Sequence, residues 1–213
     1  MYWGEFRAYV NSFLVLLFFL TFNLISGNGF GFWENTGRSL LVASMIMVSV
    51  ALVLGPLSRV FPKKFSHDLL YRKPVAYAGT LFALLYFGIA AVGAYKLDFL
   101  FMFSAQNPDF LAWVFWVLGL AVLCGLAIAS LPHYLERIGF GNWKSLQPIG
   151  YAALVFMLIH LSFLRSGYFL TTVSGKTVFL FGVVALLMKA IAVILGLGKR
   201  HSRHEVEVLM REH

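Results

Sequence analysis

The sequence has little charge for its length. Charged residues make up 12% of the 213 residues, whereas hydrophobic residues make up 60%, and the mean hydropathy is +0.82. A soluble domain is about half apolar and about a quarter charged. The shortage of charge therefore excludes an ordinary soluble domain and indicates an integral membrane protein.

Cysteine is nearly absent, since Cys124 is the single cysteine of the chain. One thiol excludes an intrachain disulfide, and it excludes a zinc or iron–sulfur site that needs several thiolates. Paired carboxylates, a Ser–His–Asp set and an HExxH motif are also missing, so hydrolytic catalysis has no support and the chain has no catalytic constellation of its own. The glycines of Gly27–Gly31 lack the Gly-Lys-Ser/Thr ending of a phosphate-binding loop and indicate a turn.

Long apolar runs are what the sequence does have. A helix needs about 20 apolar residues to cross the hydrocarbon, and six stretches qualify or nearly do. They run approximately over Tyr9–Ile25, Leu40–Leu57, Pro74–Tyr95, Phe110–Leu131, Pro148–Phe163 and Val178–Leu197. The predicted fold is an all-α integral membrane protein, with one six-helix bundle over residues 1–199 and a tail over residues 200–213. The first run lacks a small-residue cleavage motif and is interpreted as a retained helix.

Lys and Arg are unevenly distributed between the predicted loops. Eleven lie in the loops and tail on the side of both chain ends, and four lie on the other side: Arg38, Lys96, Arg165 and Lys176. Cytoplasmic loops carry the excess of basic residues, so both termini are predicted to be cytoplasmic. The net charge of +8 is attributed to this topology and to anionic lipids, not to nucleic-acid binding. Trp33, Trp113, Trp143 and Tyr95 are predicted to be anchors at the membrane interfaces.

One histidine, His160, lies deep in the fifth run. It follows the predicted start of that helix by roughly 18 Å, at 1.5 Å per residue. An imidazole in apolar surroundings is costly unless it has a partner. Two interpretations are open at this point. The ring is either an axial ligand of haem iron or a packing histidine that is hydrogen-bonded to a neighbouring helix.

Lys189 is a second polar residue inside an apolar run, and the sixth predicted helix places it near mid-membrane. A lysine there is costly unless it is paired or reaches the interface. No Asp or Glu lies clearly inside any of the six runs. The candidate partners of Lys189 are therefore backbone carbonyls, Asn23, Gln147, or an acidic group of a cofactor or lipid. A cofactor-binding role and a lysine that reaches towards the interface both remain open.

Several short motifs follow one another in a characteristic order. They are Thr36-Gly37-Arg38 at the start of the second helix, Pro56-Leu57-Ser58-Arg59 at its end, Arg72-Lys73 before the third helix, and Ser130, Ile138-Gly139, Trp143, Leu146 and Tyr151 around the fifth. In order and spacing they resemble the ferric reductase-like transmembrane domain superfamily. The closest resemblance is to the haem-binding membrane subunit of bacterial methionine sulfoxide reductase systems. It covers nearly the whole chain and implies a multi-pass protein of the bacterial inner membrane.

The resemblance also implies which residues would hold a cofactor. His160 falls on a haem-ligand position, whereas two other histidine positions of the family hold Gln147 and Tyr86 in this chain. Glutamine is a poor haem ligand, but a tyrosinate can bind haem iron. The expected site is therefore at most one haem b with His160 on the iron, and with Tyr86, Gln147 and Lys189 as candidate cofactor-binding residues. The alternative is a hydrogen bond between Tyr86 and His160.

Two functions follow from this resemblance. The first is a non-catalytic or accessory subunit of a larger membrane complex, a ferric reductase-like bundle that has lost its haems. The alternative is an electron-transfer subunit in which a b-type haem relays electrons from a quinol or flavoprotein to a partner redox protein. The expected partners are membrane lipids, other membrane subunits or a redox protein, and a quinone, but no nucleic acid.

Overall fold

The structure is a computed structural model that describes residues 3–25, 31–65, 68–164 and 172–195. Within these ranges the chain forms ten α-helices and one short 3-10 helix at Gln147–Ile149, and it has no strand. The helices are α1 (Trp3–Ile25), α2 (Phe32–Val60), α3 (Pro62–Phe65), α4 (Leu69–Gly93), α5 (Phe99–Met102), α6 (Phe110–Ala129), α7 (Pro132–Ile138), α8 (Phe140–Leu146), α9 (Gly150–Phe163) and α10 (Val173–Ile194). Residues 27–30 of the predicted turn at Gly27–Gly31 and the predicted tail lie outside the described residues.

Six of these helices are long and apolar enough to cross a membrane: α1, α2, α4, α6, α9 and α10. The predicted all-α bundle of six spanning helices is confirmed at this level. Several helices begin earlier than predicted, as α2 does at Phe32 and α4 at Leu69. Hydropathy marks the part of a helix that lies in apolar surroundings, whereas backbone hydrogen bonding continues through the polar residues that flank it. Pro74 consequently lies inside α4 and not at its start.

The second helix is the centre of the bundle. In its most apolar window 72% of the residues are buried, against 17% in α1 and 22% in α10. It packs against α1, α4, α9 and α10, while α6 packs mainly against α9. Gly79 allows the closest approach between α2 and α4, since a Cβ there would lie 3.0 Å from Val48 Cγ2 and 3.1 Å from Val48 N. Small residues at such crossings let membrane helices pack closely.

The bundle has two distinguishable ends. We call the end that holds the start of α1, the α2–α4 connection, α7, α8 and the end of α10 the basic end. At the opposite end, Asn23 of α1 donates to Ser39 Oγ of α2 at 2.9 Å, and Ser174 Oγ of α10 donates to Asn23 Oδ1 at 3.4 Å. These polar contacts fasten the two peripheral helices to the central one.

Candidate functional site

His160 is joined to two other helices through both nitrogens of its ring. Its Nδ1 lies 2.8 Å from Ala112 O of α6, and its Nε2 lies 3.2 Å from the hydroxyl of Tyr86 on α4. A carbonyl oxygen only accepts hydrogen bonds, so Nδ1 carries the proton and donates it to Ala112. The unprotonated Nε2 then accepts from the Tyr86 hydroxyl. The sequence left this hydrogen bond open as an alternative to haem ligation, and the structure contains it.

Aromatic rings close around this pair. The His160 ring centroid lies 4.7 Å from that of Trp116 and 5.3 Å from that of Trp113, and Tyr86 stacks on Trp113 at 5.6 Å. We call Tyr86, Trp113, Trp116 and His160 the aromatic cluster. His160 and Trp116 are both fully buried, with 0% exposure. Packed aromatic and imidazole rings supply apolar contact area together with directed hydrogen bonds.

The prediction that Trp113 is an interface anchor is wrong, because its side chain is only 4% exposed. Its indole Nε1 donates to Tyr95 Oη at 2.7 Å, so the N–H group finds its partner within the protein. Trp33 is 59% exposed, as an anchor would be. The role of Trp113 and Trp116 beside His160 was missed from the sequence. Trp113 and Trp116 lie one helical turn apart, and this spacing is the signal that was available.

The aromatic cluster does not fit a haem ligated by His160. Iron needs a ring nitrogen with a free lone pair, whereas one nitrogen of His160 is protonated and the other accepts from Tyr86. The indoles of Trp113 and Trp116 pack against the imidazole, and the Tyr86 hydroxyl occupies the position next to Nε2. The unpartnered polar atom beside the ring is Trp116 Nε1, whose N–H is a donor and offers iron no ligand.

Gln147 lies away from the aromatic cluster, at the basic end. Its Oε1 accepts from Arg72 Nη1 at 2.7 Å, and Arg72 Nε donates to Ala51 O of α2 at 3.1 Å. Arg72 thus connects α2 and α4 to the short helical turn before α9. The sequence identified Arg72 as part of a motif, but it did not indicate that Gln147 would be its partner.

Lys189 lies towards the basic end of α10. The helix ends at Ile194, little more than one helical turn beyond Lys189 and earlier than the predicted end at Leu197. Its Nζ lies 5.4 Å from the centre of the Tyr151 ring, and the Tyr151 hydroxyl donates to Leu52 O at 2.7 Å. Asn23, one of its predicted partners, lies at the opposite end. The four candidate residues therefore form two separate groups, Tyr86 with His160 and Gln147 near Lys189.

A groove of about 460 Å³ opens between α1, α2 and α4. It is lined by Arg7, Ala8, Asn11, Ser12, Val15, Met47, Val50, Tyr71 and Val75. Its size is that of a small-molecule pocket, but none of the four candidate residues lines it. Within the described ranges no group of three or more His, Cys, Asp or Glu side chains is arranged to hold a metal ion.

The arrangement of His160 and Gln147 can therefore cross-link helices. We compared the sequence with models of known protein families and with curated proteins. No family model matches the chain, and no curated protein matches it.

Proposed function

We propose that this protein is a non-catalytic, accessory subunit of a larger membrane complex, a ferric reductase-like bundle that works without haem. The observation that carries the proposal is the double hydrogen bonding of His160, to Tyr86 Oη at 3.2 Å and to Ala112 O at 2.8 Å. An imidazole that is engaged at both nitrogens stabilises the packing of three helices and has no nitrogen left for a metal.

Gln147 supports the same proposal from the basic end. Where the resembling family has a histidine, the amide oxygen of Gln147 accepts from the Arg72 guanidinium at 2.7 Å. A hydrogen bond to a charged group is stronger than one between neutral groups. Both positions that the resemblance assigns to haem ligands on the fifth helix thus act as contacts between helices.

The proposal includes a location and a set of partners. We place the protein in the bacterial inner membrane with both termini in the cytoplasm, where the basic loops would meet anionic lipids. Its partners would be other membrane subunits or a redox protein of the same complex. An electron-transfer role with a b-type haem and a quinol or flavoprotein as donor is the alternative.

The test is an absorption spectrum of the full-length protein, purified after expression with added haem precursor. We expect no Soret band above the protein absorption, because His160 offers iron no free nitrogen. A control variant, His160→Leu, should give the same spectrum as the unmodified protein. A Soret band that shifts on reduction with dithionite and disappears in His160→Leu would overturn the proposal and support the electron-transfer alternative.

A further inference from the structure

The side chain of Lys189 lies on the inward face of α10. Ala185, one helical turn before it, Gly182, two turns before it, and Ala192, three residues after it, are all buried. Residues at these spacings share one face of a helix. The outward face of α10 is marked by Leu187 and Ile191, which are 56% and 44% exposed. The ammonium group of Lys189 is therefore directed towards α2 and α9 and not into lipid.

Two arginines of α2 and α4 lie close enough to Lys189 for their charges to act on it. The Arg72 guanidinium crosses α2 at Gly55, where a Cβ would lie 3.5 Å from Arg72 Nη1. Arg59 follows Gly55 by one turn on the same face of α2. Its charge acts on both Arg72 and Lys189, and the charge of Arg72 also acts on Lys189. We call Arg59, Arg72 and Lys189 the basic cluster.

No carboxylate compensates this concentration of positive charge in the described part of the chain. The single ion pair within 4.0 Å there joins Arg38 to Glu34. Arg72 makes two hydrogen bonds, to Ala51 O and to Gln147 Oε1, out of the five N–H groups of a guanidinium. Like charges at short range destabilise one another, more strongly where the surroundings exclude water. Within the described residues the three cations therefore have no carboxylate partner within 4.0 Å, and Arg72 keeps N–H groups that no protein acceptor engages.

We propose that the basic cluster binds the phosphate group of an anionic membrane lipid. A phosphate supplies the negative charge and the acceptor oxygens that a guanidinium and an ammonium group complement. Arg72 and Lys189 lie within helices that are long and apolar enough to span, Tyr71–Gly93 and Val173–Ile194, near the ends of those helices. This is the depth at which lipid headgroups meet the protein, and basic pockets between membrane helices are suited to them. The site does not depend on the accessory role proposed above.

The experiment measures lipid binding to the delipidated, full-length protein in a neutral detergent. Native mass spectrometry would compare the bound fractions of phosphatidylglycerol and phosphatidylcholine. The test variants are Lys189→Gln and Arg59→Gln, each of which removes one cation of the cluster and none of the hydrogen bonds of Arg72. The matched control is Lys63→Gln, which removes an exposed charge at the same end of the bundle. A thermal unfolding curve of each variant verifies that it is folded.

We expect the unmodified protein and Lys63→Gln to prefer phosphatidylglycerol. Each test variant should bind it about fivefold more weakly, the effect of about one basic contact at a membrane surface. Equal binding of the two lipids would overturn the proposal. So would unchanged binding in both test variants, or an equal loss in Lys63→Gln.

A second arm separates lipid from soluble phosphate. The same proteins are heated in detergent with inorganic phosphate or with phosphatidylglycerol, and the unfolding midpoint is measured. We expect phosphatidylglycerol to raise the midpoint and inorganic phosphate to have little effect. If inorganic phosphate raised the unfolding midpoint equally, and Lys189→Gln abolished this rise, the lipid assignment would be overturned. The site would then be one that binds a soluble phosphate.

Discussion

At the scale of single residues, Tyr86 and His160 form a polar contact that has no access to water. We expect Tyr86→Phe to destabilise the protein by about 0.5–2 kcal/mol, since it leaves a buried imidazole nitrogen without its donor. The matched control is Tyr134→Phe, which alters a hydroxyl on a ring that is 44% exposed and should change the free energy of unfolding little. The measurement is an unfolding titration with a denaturing detergent. Equal stability of the two variants would show that this hydrogen bond contributes nothing.

For Lys189 we expect that, in the absence of lipid, removing the side chain does not destabilise the protein. Because Arg59 and Arg72 act on it with like charge, Lys189→Met should leave the stability in a neutral detergent unchanged or raise it slightly, since solvent screens charges that are not fully buried. Lys176→Met, which removes an exposed lysine from the same helix at the opposite end, should have no effect. Both are measured as unfolding midpoints. A loss of stability in Lys189→Met alone would mean that the contact with the Tyr151 ring outweighs the repulsion.

The sequence indicated which residues were unusual and left the Tyr86–His160 hydrogen bond open as one alternative, but it did not indicate the contacts of Gln147 or Lys189. His160 and Lys189 stood out because apolar runs rarely hold such groups. The hydrogen bond of Gln147 to Arg72 joins positions that are 75 residues apart, and no local pattern encodes a contact at that separation. Trp113 was predicted to be an interface anchor because the sequence gives the type of a side chain but not the partner of its N–H group.

At the scale of elements, the contact between α2 and α4 depends on Gly79. We expect Gly79→Ala to destabilise the bundle by about 1–3 kcal/mol, because the new methyl group would press on Val48, including its backbone nitrogen at 3.1 Å. The control on the same helix is Gly88→Ala, since a Cβ at Gly88 meets nothing within 4 Å. That variant should be neutral or slightly more stable, because alanine favours a helix over glycine. Unfolding titrations compare the two, and similar values would argue against a close crossing at Gly79.

The existence of the six spanning helices was predictable because each rests on a long apolar run, a property of consecutive residues. Their ends were less predictable, as α2 and α4 show. The interruption between α8 and α9 shows why the helix ends were hard to predict. Gln147–Ile149 forms a single 3-10 turn between α8 and α9, and Pro148 disfavours a regular helix for the residue before it.

At the scale of the whole molecule, the unequal distribution of basic residues makes a prediction about orientation. The start of α1 and the end of α10 both lie at the basic end, and the predominance of Lys and Arg there predicts that this end is cytoplasmic. The single cysteine allows a direct test in a Cys124→Ser background. Lys63→Cys and Gln106→Cys each place one thiol at an exposed position, on the two opposite ends of the bundle.

We expect a membrane-impermeant maleimide to label Gln106→Cys in cells whose outer barrier has been opened but whose inner membrane is intact. Lys63→Cys should be labelled only after the inner membrane is permeabilised, and the Cys124→Ser parent should not be labelled in either condition. If Lys63→Cys were labelled from outside and Gln106→Cys only after permeabilisation, the orientation would be the reverse of the predicted one. The basic cluster would then lie in the outer leaflet. Labelling of both positions from outside would mean that α4 does not span the membrane. That result would contradict the six-span arrangement, because α4 is the long apolar helix that separates the two positions.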